Sequence, residues 1–223
     1  MAKYKLRQQA LELRKKGMSY SQIKKELGLS KSTLSNWLHD HPLSDERMRQ
    51  LRDFSEIRIE KFRQTMQKKR QKRLDEIYKN EKERNLPLSL RELYIAGLFL
   101  YWGEGGKGLK WAPAIHNTNP QVIKFALYWF MHALGILKKD INVRLHLYSD
   151  MGIEEETRFW SQELKLPLSQ FKKPYVKKST RAEIDYKGGF GHGTCGLMVH
   201  GIVLKEKILM AIKGMADYYS DRI

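Results

Sequence analysis

Apolar positions between residues 4 and 39 recur at helical spacing in three short runs. Ala10, Leu11 and Leu13 give the first run an apolar face, which ends at Gly17, a residue suited to a left-handed cap. Ser19 and Ser21 are candidate N-caps for a second run carrying Ile23 and Leu27. Gly28 makes a turn with Leu29 packed beneath it, and Ser30 caps a third run bearing Leu34, Trp37 and Leu38. Helix, short Gly-containing turn, helix is the plan in which the second helix of the pair lies in the DNA major groove. Between its apolar positions that third run carries Lys31, Ser32, Thr33, Ser35 and Asn36. Lysine suits phosphate or guanine, asparagine suits adenine, and hydroxyls suit either.

The pattern changes beyond the third helix. Residues 44–84 contain no Gly or Pro and are rich in Arg, Lys, Glu and Gln, all good helix formers. A continuous helix there would run about 60 Å at 1.5 Å per residue. Met48, Leu51, Ile59, Phe62, Met66, Leu74 and Ile77 keep rough three-four spacing, interrupted at Ser55 and Arg70. Seven basic residues and no acidic one lie between Lys61 and Leu74, with Lys68, Lys69 and Arg70 at their centre. Such a run suits a track along a phosphate backbone, and equally a solvated helical arm. Asn85-Leu-Pro87 ends the helix.

From Ser89 onward helical and alternating patterns take turns. Helices are expected over 89–103, 119–134, 154–164 and 204–215, with strands over 111–116, 142–148, 171–176 and 194–200. The fold class that follows is α+β: an N-terminal helix-turn-helix over 1–42, a basic helical connector over 43–86, and an α+β domain with an antiparallel sheet over 87–223.

Composition narrows the partners. The 223 residues hold 42 Lys and Arg against 25 Asp and Glu, a formal net charge of +17. A basic surface of that size is the electrostatic footprint of a nucleic-acid binder. Neither a lipidation motif nor an apolar run of membrane-spanning length is present, so the expected partner is double-stranded DNA rather than a membrane or a small-molecule substrate. The N-terminus lacks a signal peptide's apolar region, and the single Cys195 forms no intramolecular disulfide. A cytoplasmic location is the expectation.

One carboxylate stands out. Glu104 follows an apolar stretch and is flanked by Gly103 and Gly105. At a helix C-terminus it meets the negative end of the helix dipole, so a divalent cation is a fitting neighbour. Lys107 and Lys110 beside it fit DNA phosphate, or belong to a flexible turn. The Gly-rich loop 103–108 follows a helix instead of a strand, which argues against a nucleotide cradle. His192, Cys195 and His200 lack paired zinc-ligand spacing and read as a strand cysteine with ordinary histidines. Trp102 and Trp111 read as core packing, and Asp150 as a turn or cap residue.

Two resemblances add to these readings. Residues 17–38 resemble the helix-turn-helix of resolvases, transposases and many small regulators, and that resemblance implies that Lys31, Ser32, Thr33, Ser35 and Asn36 face the groove. The stretches Ile95–Gly105 and Ile115–Pro120, set in the element order of 89–215, are similar to a LAGLIDADG domain, found in homing endonucleases and in WhiA-type regulators. That resemblance implies a Mg²⁺-dependent DNA endonuclease in which two motif helices pack through small residues. With one motif per chain it implies a homodimer. It would place Glu104 as acid and metal ligand, Asn117 as the residue ordering the attacking water, and Lys177, or Lys178, on the phosphate. The other implication is a catalytically inactive, WhiA-like transcriptional regulator. The helix-turn-helix likeness alone would fit an accessory factor to a recombinase.

Overall fold

The computed structural model describes residues 2–51, 54–106, 111–180 and 191–222. The chain divides into two compact units, residues 1–86 and 87–223.

The first unit is helical. Helices α1 (Ala2–Lys15), α2 (Tyr20–Leu27) and α3 (Lys31–Leu38) enclose a small core of Ala10, Tyr20, Ile23, Leu34 and Leu38. Ser19 caps α2 in a reciprocal box with Gln22, and Gly28 closes it in the left-handed conformation at φ 66°. The continuous helix expected over 44–84 is instead two: α4 (Asp45–Gln50) and α5 (Phe54–Asn85). Leu51 leaves the helical conformation and buries with Leu43 and Met48, and Ile57 packs against them. On α5, Ile59 packs on the three-helix core. From Thr65 to its end α5 is exposed, over roughly 30 Å at 1.5 Å per residue.

The second unit contains α6 (Leu90–Glu104), β1 (Ala114–Asn117), α7 (Pro120–His132), β2 (Asn142–Tyr148), α8 (Ile153–Leu164), β3 (Phe171–Lys177), β4 (Thr194–Met198) and α9 (Ile202–Ser220). The sheet order is β1-β4-β2-β3. Strand β4 runs antiparallel to both β1 and β2, but β2 and β3 are parallel. The sheet is therefore mixed, not antiparallel throughout. A tight hairpin cannot join parallel strands, and α8 supplies the crossover.

Ile115, Val143, Leu145, Leu147, Cys195 and Leu197 form the sheet's inner face and pack with Trp129 and Phe130 of α7 and Trp160 of α8. Helix α6 joins this core through Leu98 and Tyr101. Gly97 lies directly against Trp129: a Cβ there would stand 2.1 Å from the indole. The indole N–H donates to the Tyr94 carbonyl at 3.2 Å, fixing the ring in that slot. The small residue of α6 is thus used within the chain, against α7, whereas the LAGLIDADG reading assigned such residues to a partner's helix.

On the opposite face His116, His146 and Tyr175 make a row of rings with centroids 5.5 and 5.6 Å apart. Burial, then the neighbouring His146, lowers the pKa of His116; burial, then Lys177 and Arg144, lowers that of His146. Both expected core tryptophans lie outside the core. Trp102 and Trp111 are each 45% exposed. Trp102 leans on Phe99, and Trp111 stacks on His200 at 5.2 Å, upstream of a β1 that begins only at Ala114. Asp150 lies in the turn after β2, as its residue type suggests.

Two outcomes follow. Gly97→Ala forces Trp129 out of its slot and should cost roughly 1–3 kcal/mol or more, read as a fall in midpoint on urea unfolding. His116 and His146 have folded pKa values below the ordinary 6.5. The unfolded chain therefore binds more protons, and the neutral pair's contribution to stability is full above about pH 6.5 and lost as the pH falls toward the folded values. Melting temperature should drop from pH 7.5 to 5.5, and the drop should shrink in the His116→Gln/His146→Gln double variant.

Candidate nucleic-acid interface

Ser30 begins α3 by accepting the Thr33 backbone N–H at 3.1 Å. The Ser32 and Thr33 hydroxyls lie within hydrogen-bond distance of the same oxygen, at 2.8 and 2.9 Å, so they take part in the cap network. Leu34 and Leu38 anchor the buried side of α3. Ser32 and Asn36, four residues apart, are exposed on one face; Lys31 and Ser35, also four apart, are half-buried beside them. Thr33 is half-buried.

A buried ion pair sets this face relative to α5. The Arg14 guanidinium donates to both Glu60 carboxylate oxygens, at 3.1 and 2.8 Å, and the two side chains are 2% and 1% exposed. Arg14 donates further to the carbonyls of His41 (2.7 Å) and Met18 (3.0 Å), and lies 4.5 Å over the Tyr20 ring. Glu60 also accepts the Tyr20 backbone N–H at 2.9 Å. Burial raises the Tyr20 pKa, with Arg14 opposing and Glu60 reinforcing the shift. One carboxylate thus ties α1, the start of α2 and the first third of α5 together.

Between α3 and α5 lies a cleft of about 580 Å³. Ser35, Asn36 and His39 line it on one side; Arg63, Gln67, Lys69, Arg70 and Arg73 line it on the other. Of the three connector residues expected to meet DNA, Lys69 and Arg70 face this cleft, and Lys68 is exposed elsewhere on α5. Arg63 and Arg73 were not singled out by the sequence. Their signal was the spacing 63, 70, 73, which puts all three arginines on one helical face. Arg14 was legible too, since it falls four residues after buried Ala10 and so needed a buried partner.

In the second unit the candidate catalytic residues do not converge. Glu104 is exposed at the end of α6, next to Gly105, which bridges to Ile115 of β1. Asn117 ends β1, and its side-chain oxygen accepts the Asn119 N–H at 2.8 Å. Lys177 lies on β3, at the other edge of the sheet, 4.7 Å over the Tyr148 ring. Three inter-strand steps of about 4.8 Å separate those edges. Lys178 is exposed beyond β3. Lys107 and Lys110 lie outside the described residues.

Cys195 is buried in β4, and burial pushes its thiol pKa up. His192 pairs with Glu156 at 2.8 Å and stacks on Phe159, and His200 stacks on Trp111, so the three zinc candidates have separate surroundings. Among the described residues no group of three or more His, Cys, Asp or Glu side chains is placed to hold a metal ion. Among those residues, too, no helix is long and apolar enough to cross a membrane.

The three-helix arrangement with a capped, outward-facing α3 defines a helix-turn-helix domain, a class that binds DNA. Residues 1–41 match the family model of the homeodomain-like domain. That match gives no support to a LAGLIDADG-like or WhiA-like reading of residues 89–215. No curated protein and no solved structure is significantly similar to the chain.

Replacing Glu60 by Gln leaves the Arg14 charge buried without its counter-ion. The first unit should lose about 3–5 kcal/mol, seen as faster hydrogen exchange of α1–α3 amides, while exchange in the second unit stays unchanged.

Proposed function

We propose that this chain is a sequence-recognising, double-stranded-DNA-binding protein in which α3 reads the major groove. The observation that carries the reading is the split of α3 itself: Leu34 and Leu38 are buried in the core, Ser32 and Asn36 are exposed, and Lys31 and Ser35 lie half-buried beside them. Asn36 on adenine and Lys31 on guanine or phosphate are the contacts their chemistry favours. A net charge of +17 supplies the sequence-independent attraction. The second unit then acts as a non-cleaving module, which makes the protein a regulator by type.

A second reading, a homodimeric Mg²⁺-dependent endonuclease of the LAGLIDADG type, draws on one feature: the exposed Glu104 carboxylate beside β1. Its use of Gly97 for a partner helix competes with the packing of Gly97 on Trp129. Its phosphate-binding Lys177 lies at the far sheet edge from Asn117.

Selection from a randomised duplex library, followed by addition of Mg²⁺, separates the two. The proposal expects enrichment of a defined sequence, intact DNA after Mg²⁺, and equal behaviour of Glu104→Gln. Asn36→Ala should weaken binding to the selected site by roughly 5- to 150-fold, about 1–3 kcal/mol, and relax preference at one adenine. Mg²⁺-dependent cutting that vanishes in Glu104→Gln, from a particle that light scattering shows to be a dimer, installs the endonuclease. Failure to enrich any sequence removes the α3 reading.

A further inference from the structure

We propose that the cleft between α3 and α5 is a second DNA-contact surface, in which the arginine face of α5 grips the phosphate backbone flanking the groove that α3 reads. This rests on the α3 reading above and extends it to a helix that lies outside the homeodomain-like match at residues 1–41.

Charge is the first ground. Arg63, Lys69, Arg70 and Arg73 all face the cleft, and none has a carboxylate partner among the described residues. Among the described residues of the lining the only carboxylate is Glu60, already neutralised by Arg14 at 2.8 Å and cut off from water. Cations three and four residues apart on one helix repel one another. A polyanion laid along the cleft relieves that repulsion, and bidentate guanidinium–phosphate pairs add direction as well as charge.

Geometry is the second. The opposite wall consists of Ser35, Asn36 and His39, so the backbone cleft adjoins the base-reading face of α3. From Arg63 to Arg73 is roughly 15 Å along the helix, the rise of about four base pairs. The buried Arg14–Glu60 pair holds this stretch of α5 in place before DNA arrives, so little ordering of the backbone is left to pay for on binding.

The same helix carries its own control. Lys61, Lys68 and Lys72 fall on the other side of α5 and do not line the cleft. A general attraction of DNA to a basic rod would use both faces alike; a built cleft uses one.

The test compares Arg70→Gln/Arg73→Gln with Lys68→Gln/Lys72→Gln in the full chain, two exposed cations removed in each. Circular dichroism melts verify that both remain folded. Fluorescence anisotropy with the selected duplex is then recorded from 50 to 300 mM salt. The expected result is that the arginine variant loses about 0.9 from the slope of log K against log salt for each contact removed, and the lysine variant nearly none. Phosphate-ethylation interference should also lose a patch next to the selected site in the arginine variant alone.

Equal slope losses in the two variants overturn the inference, because the helix then acts only through its overall field. It also fails if the arginine variant binds as wild type while Asn36→Ala still relaxes sequence preference; the α3 reading survives that outcome. If Asn36→Ala has no effect either, the α3 reading falls, and the two failures are told apart by that variant.

Discussion

The first unit depends on one buried ion pair. A three-helix core of Ala10, Tyr20, Ile23, Leu34 and Leu38 is small, and it leaves Arg14 on its inward side. A guanidinium held out of water needs a counter-charge and acceptors for its donors. Glu60 and the carbonyls of Met18 and His41 supply them. Because Glu60 lies 46 residues from Arg14, meeting that need decides where α5 goes. Leu51 leaves the helical conformation at the end of α4, and on α5 Ile57 and Ile59 cover two different apolar clusters.

The second unit follows a different constraint, close approach of helix to helix. Gly97 lets α6 lie against the Trp129 indole, and Tyr94 supplies the acceptor for its N–H. Around that contact the sheet's inner residues and the aromatics of α7 and α8 fill the space. The outer face carries another glycine in a similar role. A Cβ on Gly196 would stand 2.5 Å from the His116 ring, and its absence lets that ring lie across β4 toward His146.

Much of this was legible in the sequence wherever a local pattern carried the information. Ser19, Gly28 and Ser30 act as caps and turn because their side chains, or lack of one, act within a few residues. The alternation of Val143, Leu145 and Leu147 gave strand β2 its bounds. What stayed hidden depends on distant partners. The interruption of the apolar spacing at Ser55 does not locate the break at Leu51, which reads as one more apolar helix position and is buried with Leu43 and Met48. The parallel pairing of β2 with β3 is set by the crossover through α8, and alternation is the same in either direction. Trp102 and Trp111 have the composition of core residues, yet their positions at the end of α6 and before β1 leave them at the surface. The candidate catalytic set was hardest to judge, since Glu104, Asn117 and Lys177 depend on strand order, which a single sequence does not encode locally.

Basic residues on α5 gain meaning only from the same long-range contact. Between Lys61 and Leu74 the sequence shows seven cations with no visible preference among them. Once Glu60 is pinned to Arg14, helical geometry sorts them: Arg63, Lys69, Arg70 and Arg73 turn toward the cleft, and Lys61, Lys68 and Lys72 turn away. The chemistry of the two sets differs in the same sense. Three of the four inward cations are arginines, whose planar fork matches phosphate in two places, and the three outward ones are all lysines, mobile and strongly hydrated point charges. A helix needed only for solubility would have no reason to keep its arginines on the side that faces α3.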